Sequence, residues 1–446
     1  MNVVTRRKGR GPEPDLLQGL MSAAPPRPDE PPSRPRMVKT GSFGVLDIGS
    51  DKLVCMIGRV DSDGELRVIG HGHRAARGIK AGGIVDLDEA FGAIQAVMAE
   101  AEVNSNHRVD SVTVNLSCGQ PESHLFTVQW PVGGRMVTDQ DIRRVVHEGA
   151  RRAHAPGRDC IHALPLSFLV DETPGVADPR HMRCEQLSAR MHVVDASASA
   201  ISNLMATLDR CSLGLKELVS APMAAGLATL VEDERQLGAT VIDMGAGTTG
   251  MAVFSEGQVL HTAHLPVGGQ HVTNDIARML LTPVREAERL KTCYGSTEPS
   301  PDDEREMLPM SMIGEEEYNV HSVARSEVIK VIRPRLEETF ELVRDRLEKA
   351  GVLREAGNRV VLTGGASQLP GAREMAARIL DRQVRLGRPM ALRGLPSSAQ
   401  LPGFSTAVGL LIWASGGGRH FADINLEDEG KPSWLARLIK FLSERL

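Results

Sequence analysis

Two segments of the chain repeat one pattern of apolar and polar positions. The segments VLDIGSDKLVCMIG (45–58) and VIDMGAGTTGMAVF (241–254) each run from apolar residues through Asp, one further residue and Gly into a second apolar run. Short apolar runs on both sides of a Gly turn are typical of β-hairpins. The pattern therefore predicts one hairpin over residues 41–60 and a second over 239–260.

Other segments show helical or strand periodicity. Asp139 is the predicted N-cap of one helix, and the longest predicted helix has Pro334 interrupting it and Gly351 ending it. The predicted elements are helices over 90–102, 139–153 and 326–351, a strand over 109–118, and a buried strand, Gly turn and helix over 358–380.

The two ends of the chain differ in composition from the rest. Residues 1–40 hold eight Pro, and eight Lys or Arg against four acidic residues, so we expect a disordered basic tail. Residues 416–430 form a polar, acidic linker. As a helix, residues 431–446 would place their large apolar side chains within an arc of about 160°. Such a face either binds a membrane surface or packs on the protein's own core.

Membrane binding is the favoured interpretation of this last segment, because a polar linker separates it from the body of the protein. Basic residues beside the apolar face suit anionic lipid headgroups, and a helix of this kind lies in the membrane interface without crossing it. The candidate membrane-binding residues are Trp434, Leu435, Arg437, Leu438, Ile439, Lys440, Phe441 and Leu442.

Composition excludes several classes of protein. A chain of 446 residues, 41% apolar and 24% charged, is typical of a globular protein with two large lobes or several subdomains. It contains no apolar run long enough to span a bilayer, and its basic N-terminus has no apolar core that would make it a secretory signal. The net charge of −5 gives no broad basic surface for nucleic acid. We therefore expect a cytoplasmic protein that does not bind nucleic acid.

The two hairpin turns carry the chemistry of a phosphate site. Gly lets a turn approach a phosphate closely, and successive backbone N–H groups form a cradle for anions. Hydroxyl groups can donate to phosphate oxygens, and Asp47 and Asp243 are expected to hold Mg²⁺ through its waters. One such turn alone is an ordinary β-turn, whereas two facing turns would hold a nucleoside triphosphate from both sides. The candidate residues are Asp47, Gly49, Ser50, Lys52, Asp243, Gly245, Gly247, Thr248 and Thr249.

Two further motifs fit the remainder of a nucleotide. Gly364 and Gly365, followed by Ala366, come directly after a predicted strand, and the Gly pair lets a flat base lie against the backbone. Glu288 and Lys291 lie three residues apart on one helical face, where they are placed to bond the ribose hydroxyls and the adenine edge. Taken alone, this pair is an ordinary surface ion pair.

In this order, these motifs resemble the actin-like ATPase superfamily, and the segments 161–194 and 230–277 resemble its FtsA family of bacterial cell-division proteins. The resemblance covers about residues 41–414 and returns at the C-terminus. The pilus protein PilM also carries an inserted subdomain, but a tail like 431–446 is not expected of it. The alternative function is that of a PilM-like or other actin-like ATPase in a different membrane-associated assembly.

The resemblance implies an α/β, actin-like two-lobed fold, built from duplicated ribonuclease-H-like cores, with an inserted small α/β subdomain in lobe 1 and a C-terminal amphipathic helix. It also implies helices over 220–230 and 401–414 that connect the lobes. The implied division is a disordered tail (1–40), a lobe 1 core (41–84, 166–221 and 395–415), an inserted assembly subdomain (85–165), a lobe 2 core (222–265 and 355–394), a lobe 2 small subdomain (266–354), a linker (416–430) and a membrane-targeting helix (431–446).

The resemblance further implies a protein that binds ATP and Mg²⁺, polymerises, and tethers FtsZ filaments to the cytoplasmic face of the inner membrane at midcell. Its implied partners are the FtsZ C-terminal tail, further copies of itself, later division proteins and anionic lipids; Arg335 and Glu338 are the candidate FtsZ contacts. The first connecting helix begins at Ser220-Ala221-Pro222, without the acid or amide that positions the attacking water in hydrolytic relatives. We therefore expect at most weak ATPase activity and assign no catalytic residue.

Overall fold

The computed structural model describes residues 41–416, apart from residue 154 and residues 316–319. The predicted basic tail, nearly all of the linker and the predicted membrane helix with its candidate lipid contacts lie outside the described residues. The strands are β1 Gly41–Ile48, β2 Lys52–Val60, β3 Leu66–Ala75, β4 Ile79–Lys80, β5 Gly83–Ile84, β6 Ser111–Leu116, β7 Glu122–Pro131, β8 Arg158–Val170, β9 Thr173–Val176, β10 Gln186–Ser197, β11 Gly214–Ser220, β12 Ala239–Met244, β13 Thr249–Ser255, β14 Gln258–Leu265, β15 Met307–Met310, β16 His321–Ala324, β17 Arg359–Thr363 and β18 Gln383–Leu386. The helices are α1 Leu87–Ser105, α2 Asp139–Arg152, α3 Ala198–Arg210, α4 Ala221–Thr229, α5 Glu232–Leu237, α6 Gly269–Met279, α7 Val284–Tyr294, α8 Arg325–Ala350, α9 Ala372–Leu380 and α10 Ser405–Ala414.

Two five-stranded sheets repeat one topology. The first has the strand order β11-β6-β1-β2-β3, and the second has the order β18-β17-β12-β13-β14. In each sheet the first hairpin strand pairs antiparallel with the second and parallel with a later strand, β1 with β2 and β6, and β12 with β13 and β17. This repetition confirms both predicted hairpins and the duplicated α/β core. Ligands of open α/β sheets bind beyond the carboxyl ends of the parallel strands, which here are the ends that carry the Asp-x-Gly turns.

Helix α1 shows how local sequence fixes an element against the first sheet. The Asp86 carboxylate accepts the N–H groups of Asp88 and Glu89, both at 3.0 Å, and so caps the first turn. Ile94 and Val97, on one helical face, are fully buried against β2 and β3. Burying a side chain of this size stabilises the fold by about 1.5–3 kcal/mol.

Helices α4 and α10 cross between the two duplicated sheets. Their apolar side chains join side chains of β1, β2, β12 and β13 in one continuous core. At the crossing, a Cβ on Gly409 would lie 1.7 Å from the carbonyl oxygen of Ala224, so only Gly permits this approach. These are the connecting helices predicted over 220–230 and 401–414, although α10 begins only at Ser405, after a short 3₁₀ turn over 402–404.

A separate four-stranded antiparallel sheet, β7-β10-β8-β9, stands between β6 and β11 in the chain. Helix α2 packs on it around Ile142 and Phe168. The strand pairing differs from the predicted division at 85–165. Helix α1 and strand β6 belong with the first five-stranded sheet, whereas the separate sheet continues to Ser197. Periodicity identifies a strand but does not show with which distant strand it pairs, which explains the difference.

The start of α2 differs from its prediction by one residue. Thr138, not Asp139, is the N-cap, and Asp139 is the first helical residue. The backbone N–H and the hydroxyl of Thr138 donate to the Asp141 carboxylate, at 3.0 and 2.7 Å. An acid three residues after the N-cap can reach back in this way to accept the N–H group of the N-cap residue.

Helix α8 runs through Pro334 without the predicted interruption and ends at Gly351 as predicted. Proline inside a helix costs about 3 kcal/mol because it removes one hydrogen bond and crowds the preceding turn. Here the buried side chains of Ile332 and Leu336 on either side of Pro334 hold the helix against the core, which offsets that cost. In the part of the chain that the structure describes, no helix combines the length and apolar character needed to span a membrane.

Replacing Gly409 by Ala is expected to destabilise the fold, because the new Cβ would overlap the Ala224 carbonyl and force α4 and α10 apart. Overpacking of this kind costs about 1–3 kcal/mol, occasionally more, in the free energy of unfolding measured by urea denaturation. Gly92→Ala in α1 is the matched control, since no atom lies within 4 Å of its added Cβ. It should gain about 0.5–1 kcal/mol. Equal stability of the two variants would contradict the close crossing.

Candidate functional site

A cavity of about 430 Å³, called the cleft below, collects nearly all of the predicted nucleotide contacts. Pockets of roughly 300–1,000 Å³ are typical of sites for cofactors and other small molecules. Parts of both hairpin turns, α6, α7, α10 and the turn after β17 form its walls. Of the predicted contacts, the cleft is lined by Asp47, Gly49, Ser50, Lys52, Asp243, Gly245, Gly247, Thr248, Glu288, Lys291, Gly364, Gly365 and Ala366.

The two hairpin turns have the same internal hydrogen bond. The N–H of the motif glycine donates to the carbonyl three residues later, at 3.1 Å from Gly49 and at 2.9 Å from Gly245. The turns also face each other, since a Cβ on Gly247 would lie 2.5 Å from Ser50 Oγ. A side chain at that position would fill the space between the turns. The pair of turns is therefore arranged to hold an anion from both sides.

Thr249, the remaining predicted contact, does not line the cleft. It is fully buried, and its hydroxyl donates to the Val267 carbonyl at 2.8 Å. Thr248 still belongs to the turn, whereas Thr249 is the first residue of β13. Thr249 therefore braces the connection between β14 and α6 and does not take part in the phosphate cradle.

Asp47 and Asp243 place two carboxylates in the cleft, at equivalent positions near the ends of β1 and β12. Burial raises the pKa of Asp47 to about 7; the charge of Lys52 opposes this rise and that of Asp243 adds to it. Burial also raises the pKa of Asp243, against a hydrogen bond from Thr406 and the charge of Lys52. The Thr406 hydroxyl donates to Asp243 Oδ2 at 2.9 Å. Lys52 is thus the cation that acts on both carboxylates.

This carboxylate pair fits a divalent cation. An added positive charge favours the ionised form of both groups and offsets the cost of their burial. Mg²⁺ takes oxygen ligands, keeps several waters, and is usually held by one or two carboxylates together with substrate phosphates. Asp47 and Asp243, beside two turns that suit phosphate, are a matching set of donors.

Another wall of the cleft joins α7 to the turn after β17. Lys291 Nζ lies 2.7 Å from Glu288 Oε2 and donates to Thr273 Oγ1 at 2.8 Å, so this ion pair is anchored to α6. Gly364 adopts φ +86°, a conformation that favours glycine, and a Cβ on Gly365 would meet no atom within 4 Å. The open backbone beside a fixed ion pair provides a place for a flat ring and its polar edge.

Several cleft residues lie outside the predicted motifs. Asn115, near the end of β6, accepts the N–H of Ile48 at 2.7 Å and so fixes the end of β1. Its place near the carboxyl end of a parallel strand is a signal from which it could have been predicted. Thr406, Gln270 and His264 are brought to the cleft by α10, α6 and β14, and no local pattern marks them.

The candidate FtsZ contacts lie on α8 and are ion-paired within the chain. Arg335 Nε lies 2.5 Å from Asp275 on α6, and its Nη1 lies 2.5 Å from Glu338. The Arg335 side chain is 29% exposed. The guanidinium therefore joins α6 to α8, and an acidic partner would compete with two carboxylates. The helical spacing predicts the pairing with Glu338, but the pairing with Asp275 depends on the tertiary fold.

Replacing Asp47 by Asn is expected to stabilise the ligand-free protein above pH 7. In the folded chain the pKa of Asp47 is about 7, against 3.8 for an ordinary Asp, so between these values the folded chain keeps a proton that the unfolded chain has lost. The contribution of Asp47 to stability therefore falls as pH rises through this window. Asn does not ionise, so the variant should lose this slope and gain on the order of 4 kcal/mol at pH 8.

Urea denaturation from pH 4.5 to pH 8, in the absence of nucleotide and Mg²⁺, measures this difference. Asp63→Asn is the control for removing a carboxylate, because Asp63 is exposed in the turn between β2 and β3. An unchanged pH slope in Asp47→Asn would contradict the buried, raised-pKa carboxylate.

Solved structures share this fold. The PilM–PilN type IV pilus biogenesis complex matches with a TM-score of 0.60 at 19% identity, covering 84% of this chain and 98% of that one. MreB5 of Spiroplasma citri bound to ADP matches with a TM-score of 0.50 at 14% identity, covering 84% and 96%. At these identities the likeness shows the actin-like fold alone, so it does not favour the PilM-like alternative.

Sequence comparisons are more specific. The family model for cell division protein FtsA matches residues 240–409, and that for the SHS2 domain inserted in FtsA matches residues 118–195, the region of the separate four-stranded sheet. Cell division protein FtsA of Agrobacterium fabrum is 44% identical over 380 residues, covering 83% of this chain and 86% of the relative. The FtsA proteins of Pseudomonas aeruginosa (33%, covering 84% and 90%) and Escherichia coli K12 (31%, covering 82% and 88%) are also similar. The chain therefore belongs to the FtsA family of cell division proteins.

Proposed function

We propose that this protein binds ATP with Mg²⁺, assembles with further copies of itself, and tethers FtsZ filaments to the cytoplasmic face of the inner membrane at midcell, where it helps recruit later division proteins. The observation that carries the proposal is the cleft of this FtsA-family chain, in which two equivalent Gly turns face each other beside the carboxylates of Asp47 and Asp243.

The nucleotide contacts follow from the geometry of the turns. Their backbone N–H groups and the hydroxyls of Ser50 and Thr248 would bind the phosphates. Ser50 Oγ accepts the Gly82 N–H at 2.9 Å, which orients the hydroxyl and leaves its own O–H to donate. Asp47 and Asp243 would hold Mg²⁺, which when bound offsets phosphate charge. The wall formed by Glu288, Lys291 and the Gly pair would hold the adenosine.

We expect the bound ATP to be hydrolysed slowly. Helix α4 begins beside the cleft, where Ala221 is one of the lining residues. Neither Ser220, Ala221 nor Pro222 is an acid or amide that positions an attacking water. The nucleotide therefore acts mainly as a ligand that holds the two lobes around the cleft.

The separate four-stranded sheet, called the inserted sheet below, contacts the second lobe. This contact supports a link between nucleotide binding and the assembly of copies. Strand β7 at the edge of the inserted sheet contacts β14 at the edge of the second five-stranded sheet. The Thr262 N–H on β14 donates to Ser123 Oγ on β7 at 3.3 Å. A nucleotide that changes the position of the second lobe would also act on the inserted sheet, a candidate surface for contacts between copies.

FtsZ binding is proposed at α8, around Arg335 and Glu338. Asp275 holds Arg335 Nε from α6, while Glu338 bonds Nη1 on the more exposed side. An acidic group of the FtsZ C-terminal tail would replace Glu338 at Nη1, with Asp275 keeping the guanidinium in position. Charge-assisted bonds of this kind are stronger than neutral hydrogen bonds, which suits a short peptide.

Membrane attachment is proposed for residues 431–446. The apolar arc would enter the membrane interface, and each Lys or Arg near an anionic surface adds about 1 kcal/mol. A single helix of this kind binds reversibly, so the assembly of many copies would supply avidity. ATP binding, through assembly, would then control the tether.

A chain truncated after Glu429 tests the tether. The full-length protein with ATP and Mg²⁺ is expected to co-sediment with vesicles containing anionic lipid and to carry FtsZ with it. The truncated chain should keep its affinity for ATP and for FtsZ but stay in the supernatant, because its apolar arc is gone. Leu438→Glu, within the arc, should act like the truncation. Ser443→Glu, on the polar face of the same segment, is the matched control and should bind vesicles.

The same assay separates the two attachments. Arg335→Ala should reach the vesicles while leaving FtsZ in the supernatant. Undiminished vesicle binding by the truncated chain would contradict membrane attachment through residues 431–446. A full-length protein that sediments with vesicles without carrying FtsZ would contradict the filament contact.

A further inference from the structure

His264 lies in the same cross-strand row as Asp243, the carboxylate of the second turn that is proposed to hold Mg²⁺. Strand β13 pairs with β12 on one side and with β14 on the other, so that Asp243, Gly250 and His264 lie opposite one another. Side chains of directly paired residues in antiparallel strands point to the same face. Asp243 and His264 both line the cleft, and Gly250 between them has no side chain.

The imidazole of His264 has no hydrogen-bond partner in the described part of the chain. Both ring nitrogens are screened from solvent and bond to no protein group there. Burial lowers the pKa of His264 to about 4, so at pH 7 the ring is neutral, with one donor and one acceptor nitrogen. Nearly all buried polar groups in native proteins have a partner. A neutral, unpaired imidazole in the wall of a cleft points to a partner that arrives with the ligand.

The row also lies toward the phosphate end of the cleft. His264 pairs with Gly250, two residues after Thr248 of the second turn. Strand β17, which leads into the Gly pair, lies on the other side of β12 from β13. A nucleotide with its base at Gly365 and its phosphates at the turns would therefore direct its terminal phosphate toward β13 and β14.

The start of α4 meets the same row. A Cβ on Gly250 would lie 3.0 Å from the Pro222 side chain, and Ala221 lines the cleft beside it. This is the helix start that offers no acid or amide to an attacking water. The row thus supplies, in His264, a polar group that α4 lacks.

We propose that His264 holds the water that faces the terminal phosphate of a nucleoside triphosphate bound in the cleft. This inference rests on the proposed nucleotide binding and names the residue by which the site distinguishes a triphosphate from a diphosphate. The acceptor nitrogen of His264 takes a hydrogen bond from that water. When a diphosphate is bound, the terminal phosphate and its water are absent, and the ring is again without this partner.

His264 also accepts the proton that the water releases in the slow hydrolytic step. The oxygen of the water that it holds forms the new bond to phosphorus, while the bond from phosphorus to the bridging oxygen breaks with its electron pair on the diphosphate. One proton of the water passes to His264 and then to solvent, and the other stays on the released phosphate. A ring with so low a pKa is a weak base, which keeps this step slow.

Gln270 is the alternative candidate for the residue that holds this water. It lines the cleft at the start of α6, and its amide nitrogen lies 3.4 Å from Asn274 Oδ1, a weak bond. An amide can also hold a water through its oxygen or its N–H groups. Substitution of Gln270 is therefore one arm of the test.

Histidine ring NMR tests the contact itself. Protein labelled with carbon-13 at imidazole Cε1 is compared in the ligand-free, ADP–Mg²⁺ and non-hydrolysable ATP analogue–Mg²⁺ states, with His264→Gln assigning the signal. The His264 signal is expected to differ between the ADP and analogue states, and by more than that of His261. His261 is a matched control on the same strand, because burial lowers its pKa to about 4 and its Nε2 has no partner among the described residues, yet it does not line the cleft.

Single-turnover hydrolysis of ATP gives the second readout. His264→Leu removes both nitrogens and is expected to lower the rate by about tenfold or more, without changing the affinity for ADP. His264→Gln, whose amide can hold a water, should keep more of the rate than His264→Leu. His261→Leu should hydrolyse ATP as the wild type does.

The outcomes separate this inference from the proposed function. If the wild type binds no ATP, both fail. If it binds ATP and the His264 signal is the same in the ADP and analogue states, only the role of His264 fails. A wild-type rate in His264→Leu together with a loss of rate in Gln270→Ala would assign the water to Gln270 and overturn the proposal.

Discussion

The carboxylates of Asp47 and Asp243 set the constraint on which the cleft depends. Each lies near the end of the first hairpin strand of a duplicated sheet, and burial raises the pKa of both. Like charges in a site of low dielectric are stable only when one keeps a proton or a cation joins them. The ligand-free protein can hold a proton on Asp47, whereas a bound Mg²⁺ would favour ionisation of both. In the proposed function, loading with nucleotide and metal therefore replaces a proton.

The duplicated architecture brings these carboxylates together. Equivalent strands end in equivalent turns, and helices α4 and α10 pass between the two sheets. Two glycines permit close approaches that shape the cleft: Gly409 lets α10 cross the Ala224 carbonyl, and Gly247 lets the second turn reach Ser50. A side chain at either position would separate parts of the structure that the cleft requires to be close. The same second sheet carries β14, which meets the cleft at His264 and the inserted sheet at Thr262.

The sequence predicts the parts of this structure whose signals are local. Both hairpins, the Gly pair, the α7 ion pair and the ending of α8 at Gly351 depend on neighbouring residues, and the structure contains all of them. Local sequence patterns do not predict contacts between distant segments. Thr249 follows the turn motif but is buried against Val267, and α8 tolerates Pro334 because tertiary packing offsets its cost. His264 belongs to no motif, since its place in the cleft depends on the pairing of β14 with β13. The extent of the inserted sheet depends in the same way on which strands pair.

Isothermal titration calorimetry of ATP in the presence of Mg²⁺ tests whether the two turns and their carboxylates bind the nucleotide. The wild-type protein is expected to bind ATP, and to bind it more weakly when Mg²⁺ is omitted. Asp243→Ala should lose this binding but remain folded, which a cooperative unfolding transition would show. Asp233→Ala, which alters an exposed acid on α5, should bind ATP as the wild type does. Wild-type affinity for ATP in Asp243→Ala would contradict nucleotide binding at the two turns.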